Sequence, residues 1–388
     1  MTYLVIGDAN SMHIYNFVNN FLIPSEYDVH LLTLSTQPIK EDFRSYYREH
    51  NVTVHSIAEK KYRRLNKTDK LSRVLNLARK IRLMCDVPHV DICHLQSVYK
   101  TSVAMVLLNK KKFDKLILSY WGGDMLDRSK VTTRLTRKAL DIADSITVTV
   151  KSALLEFKQL YGDKYNKKLR VSRFATAGLE CIQSLSHTVT RTECRECYGI
   201  PEGKIAVTCG YSAYAAQHQE QCLQEMMKLP RNIREKLFVI VPMQYGRFDQ
   251  AYIDRVHREK NNCDFDCVIL EEYVPFEMSA KLAIATDIYL HVRDTDAFSN
   301  ALKEHVYAGS TIITGTWLKY FELEEMQAPM IKIDSIDKLQ ECLLSLLPQT
   351  VISKEIKLFD PIYNLYSTSN INSQWKEVIE LALHLNKD

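Results

Sequence analysis

The strongest candidate for chemistry in this chain is Arg293-Asp294-Thr295-Asp296-Ala297-Phe298-Ser299-Asn300-Ala301-Leu302-Lys303-Glu304, which follows a short apolar run from Asp287 to Val292. A strand ends there in a cluster of polar groups, and a helix begins. Asp296 and Glu304 are separated by seven residues, so the first falls in the loop and the second about two turns into the helix. Both carboxylates can face one ligand. Ser299 and Asn300 bring a hydroxyl, an amide and free backbone N–H groups to the helix start, where a diphosphate is favoured. Asp294 and Asp296 could alternatively share a magnesium or manganese ion.

Three other loops combine permissive backbone with polar side chains. Gly7-Asp8-Ala9-Asn10-Ser11-Met12-His13 follows an apolar run; its glycine allows a tight turn, and Asn10 or Ser11 can cap the next helix. Three closely spaced glycines of a dinucleotide fingerprint are absent, which argues against an NAD or FAD enzyme. Ser119-Tyr120-Trp121-Gly122-Gly123-Asp124 offers a flat aromatic surface, room for close backbone approach and, in Asp124, a carboxylate able to accept a hydroxyl proton. Gly210-Tyr211-Ser212-Ala213-Tyr214-Ala215-Ala216-Gln217-His218 reads as a phosphate-facing loop, with Gly210 and Ser212 at a strand end and His218 able to hydrogen-bond a phosphate.

These loops need strands that end beside one another. Short β-branched segments alternate with longer amphipathic ones, the pattern of parallel sheets with crossover helices. Strands are expected at 3–7, 29–34, 52–57, 91–95, 115–120, 145–150 and 169–174, then at 205–209, 237–243, 267–270, 287–292, 310–314 and 330–333. Between the two sets, from Ala175 to about Thr192, both periodicities lapse and an irregular connection is expected. The reading is therefore α/β with two doubly wound Rossmann-like domains, at 1–180 and 193–370. The tail at 371–388, with Trp375, Val378, Ile379, Leu381, Ala382 and Leu385 on one side of a helix, is expected to pack back toward the first domain.

Composition is that of an ordinary globular protein: 46% hydrophobic and 25% charged over 388 residues. No apolar run reaches the roughly 20 residues of a membrane span, and the opening Met1–Asp8 reads as a strand and not as a secretory leader. Ten scattered cysteines fit reduced thiols in a cytoplasm. Cys194 and Cys197 have the spacing of half a zinc site without a second half, and Cys263 and Cys267 receive no role. Charge is uneven: residues 1–185 carry 30 basic and 18 acidic side chains, leaving 21 and 29 for the remainder. A basic first half prefers anionic partners. The segment Lys60 to Met84 holds ten basic residues among Leu65, Leu71, Val74, Leu75, Leu77, Ala78 and Ile81. It reads either as a helix for an anionic membrane surface or as one packed on its own sheet. The runs at 60–64 and 110–112 carry no nucleic-acid reader motif, and no nucleic-acid partner is expected.

Taken together, the run from Asp296 to Glu304 and the opening loop at 7–13 resemble the GT-B glycosyltransferases, in particular the retaining family typified by sucrose synthase and bacterial mannosyltransferases. Aspartate stands here for the usual first glutamate of the acid, seven residues, acid motif. Trp121–Asp124, the 210–218 loop, Val241-Pro-Met-Gln-Tyr-Gly246 with Ala251-Tyr-Ile253, and Tyr273-Val-Pro275 leading to Arg293 resemble more closely the bacterial 4-acetamido-4,6-dideoxygalactose (N-acetylfucosamine) transferases that act on polyprenyl diphosphate lipids.

The resemblance implies a nucleotide-sugar donor, a glycan or polyprenyl-diphosphate-linked acceptor in bacterial surface polysaccharide synthesis, and two domains facing each other across a cleft. It implies that Glu304 holds the ribose and Asp296 meets the sugar, with Asp124 the third catalytic candidate. The loops at Gly210, Gln244 and Ser299, with Ser212, His218, Tyr245, Arg247, Arg293 and Asn300, would hold the donor. Asp8, Asn10, His13, Trp121 and Gly123 would line the acceptor side, together with Asp124. Tyr211 and His218 stand where the family usually has arginine and lysine, so Arg293 or Arg247 must help neutralise phosphate. No metal and no cofactor are expected, because helix N-termini and basic groups serve the diphosphate in this fold. The expected location is the cytoplasm, peripherally on the inner face of its membrane. A nucleotide-sugar 2-epimerase of the same architecture is the alternative.

Overall fold

The computed structural model describes residues 1–58, 70–125 and 129–384. The chain forms two compact units, Met1–Ala175 with Thr368–Asp388, and Thr176–Ser367. The first holds strands β1 (Thr2–Ile6), β2 (Asp28–Thr33), β3 (Thr53–Ser56), β4 (Val90–Gln96), β5 (Phe113–Tyr120), β6 (Ser145–Val148) and β7 (Leu169–Val171). They form one parallel sheet in the order β3-β2-β1-β4-β5-β6-β7. The second holds β8 (Ile205–Cys209), β9 (Leu237–Pro242), β10 (Asp266–Leu270), β11 (Ile288–His291), β12 (Thr311–Gly315) and β13 (Met330–Ile333), ordered β10-β9-β8-β11-β12-β13 and likewise parallel. Each strand falls within two residues of its expected position except β7, which ends three residues early, because helices cover both faces and leave near-continuous apolar runs.

In each sheet the order reverses beside the first strand, between β1 and β4 and again between β8 and β11. Loops leaving the two strands at such a point diverge and leave a crevice at their carboxyl ends. The loops at 7–13 and 210–218 leave β1 and β8, and the loop at 292–299 leaves β11.

The tail forms the helix Thr368–His384, and its apolar stripe is part of the first unit's core. Trp375 is 1% exposed, packs against Phe17 and His94, and donates from its indole N–H to the Arg173 carbonyl at 3.1 Å. Leu385 lies outside the described residues.

The stretch at 175–192 departs from expectation. Instead of an irregular connection it holds the helix Ala177–Leu185, with Gly178, Leu179, Ile182 and Leu185 buried, and the start of a second helix, Arg191–Glu196. Apolar positions every third residue carry the first helix, but a glycine in its first turn and polar flanks hide it, since glycine costs about 1 kcal/mol relative to alanine there.

Among the described residues no helix is long and apolar enough to cross a membrane, and no cluster of three metal-ligating side chains occurs. All ten cysteines are free thiols, with Cys194 buried and Cys197 exposed on one short helix.

Candidate functional site

In the second unit the carboxyl ends of β8, β9 and β11 bring most of the expected donor residues together. Gly210 leaves β8 with φ +68°, a conformation that disfavours a side chain, and its N–H bonds the Leu290 carbonyl of β11 at 3.0 Å. Ser212 is fully buried and takes a hydrogen bond from Gln217 Nε2 at 3.0 Å, so it locks the loop and does not face a ligand as expected. Gln219, one turn further, donates to the Cys209 and Pro242 carbonyls at 3.1 and 3.0 Å, tying the ends of β8 and β9.

His218 is left-handed (φ 55°) at the start of the helix Gln219–Met227, and its Nε2 lies 2.6 Å from Asp294 Oδ1. The imidazole is therefore held by a carboxylate through Nε2. Asp294 and Asp296 have different partners, His218 for the first and the Ser299 N–H for the second.

Asp296 is 3% exposed and accepts from Ser299 N–H at 2.8 Å and Tyr320 Oη at 3.0 Å, with His291 Nε2 at 3.3 Å and Arg293 Nη1 at 3.4 Å. Burial would raise its carboxyl, but the hydrogen bond and charge interaction with His291, the Ser299 N–H and Arg293 outweigh it and hold the group down at about 2. With this set of partners Asp296 organises the loop through Oδ2, while Oδ1 has only the Arg293 contact.

Glu304 is different. It sits on the helix Asn300–Tyr307 against Gly178, where an added Cβ would come within 2.0 Å of its Oε1. With Glu304 in this position a Cβ at Gly178 would force the carboxylate to move. No donor reaches the carboxylate among the described residues, and desolvation, only partly offset by Lys303, pushes it up to about 7. Both acids act on the same neighbours. Burial first and then the fields of Glu304 and Asp296 raise the Tyr245 phenol, and burial with Asp296, Tyr245, Tyr320 and Glu304 raises that of Tyr289.

Around these acids, Gln244 Nε2, Arg293 Nε, Ser299 Oγ, Tyr289 Oη and His291 Nδ1 are buried without a hydrogen-bond partner among the described residues. Buried polar groups are normally satisfied. Amide and guanidinium N–H groups can only donate, so an acceptor-rich ligand would complete them. The Arg293 guanidinium lies over the Tyr211 ring, 5.3 Å from its centroid, and bonds the Tyr211 hydroxyl. Arg247 is committed elsewhere, to Glu271 at 2.6 Å on the surface. Asn300 accepts from Thr176 Oγ1 and Lys303 Nζ. His291, Tyr289, Tyr320 and Gly178 escaped the sequence reading, because no local spacing links them to residues 293–304.

In the first unit two of the expected acceptor residues, His13 and Trp121, share one aromatic cluster. His13 meets Trp121 edge-on at 5.3 Å and Phe174 at 5.0 Å, and Trp121 Nε1 donates to Gln96 Oε1 at 3.0 Å. Asp124 is buried and takes backbone N–H groups from Val98 at 2.8 Å, from Trp121 at 3.0 and 3.2 Å, and from Gly122 at 3.0 Å. Burial raises its carboxyl and these N–H groups pull it back. A carboxylate has about four acceptor positions. Three N–H groups, that of Trp121 shared between both oxygens, tie Asp124 to Val98 and to the Trp121–Gly123 loop. Asn10 does not cap the following helix either: its Nδ2 donates to the Pro38 carbonyl at 3.1 Å and its Oδ1 accepts from Lys40 N–H at 2.8 Å, while Ser11 at the N-cap makes no side-chain cap bond. Asp8 is exposed beside this loop and accepts from Asn10 N–H at 3.0 Å.

Residues 4–150 match a family model described as glycosyl transferase 4-like. The fold is similar to that of HepE from Anabaena, solved in complex with UDP and glucose, with a TM-score of 0.67 and 11% identity over 98% of this chain and 99% of that one. A glycosyltransferase from Rickettsia africae gives a TM-score of 0.72 at 9% identity over 99% of both chains. The sucrose-phosphate synthase of Thermosynechococcus elongatus gives 0.64 at 12% identity over 99% of this chain and 96% of that one. No curated protein matches the sequence. The chain thus has the GT-B fold, two parallel α/β sheets of seven and six strands, and carries a glycosyl transferase 4-like domain in its first unit.

Proposed function

We propose that this protein is a glycosyltransferase that moves a sugar from a nucleotide-diphosphate sugar to a glycan acceptor. The observation that carries the reading is the group of donors at the ends of β9 and β11 that are unpaired among the described residues, beside a Glu304 carboxylate that no donor reaches among them. Arg293, Gln244 and Ser299 would receive the diphosphate, and preorganised donors of this kind stabilise the charge that develops as it leaves. Glu304 would take ribose hydroxyls. Asp8, His13 and Trp121 in the first unit would meet the acceptor. The UDP and glucose in HepE support the donor class. The motif segments favour N-acetylfucosamine as the sugar and a polyprenyl-diphosphate-linked acceptor in surface polysaccharide synthesis.

No divalent metal is part of this proposal, since Asp294 serves His218 and Asp296 serves the loop. A thermal-shift panel of UDP, dTDP, GDP and ADP tests both points. One nucleotide at 100 times its Kd should stabilise the protein by about 2.7 kcal/mol, with the same shift in EDTA. Absence of any shift, or a shift that needs magnesium or manganese, would contradict the reading.

We also propose peripheral attachment to the inner face of the cytoplasmic membrane. Lys60, Lys61, Arg63 and Arg64, which first suggested it, lie outside the described residues. The helices Lys70–Cys85, Lys100–Leu108 and Lys130–Ile142 pack in succession and expose Leu75 (41%), Leu108 (65%) and Val131 (57%). Arg82, Lys100, Lys110, Lys111, Arg134 and Lys138 are exposed on and beside them. Each basic group near an anionic surface contributes about 1 kcal/mol, screened by salt. The protein should co-sediment with phosphatidylserine vesicles and not with neutral ones, and changing Lys110, Lys111, Arg134 and Lys138 to glutamate should abolish it. Equal recovery with both vesicle types would count against attachment.

A further inference from the structure

Tyr320 Oη lies 3.0 Å from Asp296 Oδ2 and 2.8 Å from His291 Nε2. A phenol has one proton to give. Asp296 is ionised and can only accept, so that proton goes to Asp296, and the hydrogen between Tyr320 and His291 must sit on His291 Nε2. The chain of donors has one direction: His291 Nε2–H to Tyr320 Oη, then Tyr320 Oη–H to Asp296 Oδ2. Both donors are fixed in place. The His291 ring is fully buried and lies nearly parallel to Tyr211, at 15° and 6.0 Å, and Tyr320 is 2% exposed.

Asp296 Oδ2 therefore gathers Tyr320, His291 and the Ser299 N–H, while Oδ1 faces Arg293 Nη1 at a loose 3.4 Å. Left alone, an aspartate and an arginine this close would close into a bidentate pair, which is shorter and stronger. Such a pair would cancel the guanidinium charge that a diphosphate needs. Arg293 is restrained further by the Tyr211 ring beneath it and by Trp317 Nε1, which donates to its carbonyl at 2.8 Å.

We propose that Tyr320 and His291 are positioning residues that hold the Asp296 carboxylate back from Arg293, so that the guanidinium is aimed at, and left free for, the diphosphate of the donor. This rests on the reading of the second unit as a nucleotide-sugar site. Neither side chain need touch the ligand.

The test is calorimetric titration of the full chain with UDP, dTDP, GDP and ADP in turn, for wild type, Tyr320→Phe, Asp296→Asn and the double variant, with Tm measured for each. Tyr320→Phe keeps the ring and loses the hydroxyl. It should weaken the preferred nucleotide by about tenfold, with no fall in Tm, because an Asp296–Arg293 pair replaces the lost bond. Asp296→Asn removes the charge that would cancel Arg293 but sets an amide against the Ser299 N–H, so its own affinity, lower than that of wild type, is the reference for the double variant. In that background Tyr320→Phe should cost less than about twofold, the two sites being coupled. Full affinity in Tyr320→Phe, or a loss as large in the Asp296→Asn background as in wild type, would each overturn the proposal. Failure of the wild type to bind any of the four would instead remove the nucleotide reading, and this inference with it.

Discussion

Replacing Asp287 with alanine is expected to lower the unfolding free energy of the second unit by about 3–5 kcal/mol, the cost of stranding a buried charge by removing its partner. Asp287 stands at the foot of β11 and is paired on both sides: Arg191 Nη2 reaches Oδ1 at 2.7 Å and Arg195 Nη1 reaches Oδ2 at 3.0 Å, all three being under 10% exposed. Ala206 N–H of β8 also donates to Oδ2, at 2.7 Å. The arginines additionally cap the Ile284 and Ala285 carbonyls at the end of the helix Phe276–Ala285. Without the carboxylate, two guanidinium groups would share a buried site with only carbonyl dipoles to balance them. Asp287→Asn, which keeps the Ala206 bond and one acceptor, should cost less. Denaturant unfolding with unchanged m-values would measure both, and a loss below about 1 kcal/mol for alanine would show that solvent reaches the cluster. The strand this ion cluster anchors carries Tyr289 and, at its other end, His291, so the cost is structural and the benefit is a fixed site.

Glu304→Gln should produce two opposite effects. Desolvation pushes the carboxyl up to about 7, well above its ordinary range. A carboxyl raised on folding is held protonated in the native state while the unfolded chain releases the proton, so stability falls as pH rises from about 4.5 through 7 and stays low above. Glutamine mimics the protonated form. At pH 8 the variant should be more stable than wild type by about 1–3 kcal/mol, the upper end corresponding to the full shift and the lower allowing for solvent at a part-exposed group. At pH 4.5 the two should be equal. Nucleotide affinity should fall about 10- to 100-fold, since hydrogen bonds to a charged acceptor contribute about 1.5–3 kcal/mol. Melting curves at the two pH values with calorimetry at pH 8 provide the check. A variant that is less stable at pH 8, or that binds nucleotide as tightly as wild type, would remove Glu304 from the ribose.

Glu304 also shows what could be read from the sequence and what could not. Its spacing from Asp296, at a strand end before a helix, was legible because helix periodicity is local. The glycine that makes room for it, Gly178, lies over a hundred residues earlier in a stretch that reads as irregular. Local propensity argued against a helix there, and packing against Glu304 overrode it. Strands were legible throughout, since burial on both faces leaves an unbroken apolar signature in β8 and β9 alike. Partnerships across strands were not. Nothing near Asp294 announces His218, and nothing near Asp296 announces Tyr320, because such pairs are made only when β8, β11 and β12 lie side by side. The loop bonds of Asp124 were hidden for a related reason: its partners are backbone N–H groups, which side-chain types do not reveal.

The central claim, that the loops leaving β8 and β11 hold the diphosphate of a nucleotide sugar, is tested most directly by amide hydrogen exchange with and without UDP, dTDP, GDP and ADP. Ligand contact slows exchange only where backbone is ordered or covered. With the nucleotide that binds, protection should rise in peptides spanning 210–218 and 293–304. Protection confined to other segments, with these two unchanged under saturating nucleotide, would contradict the account.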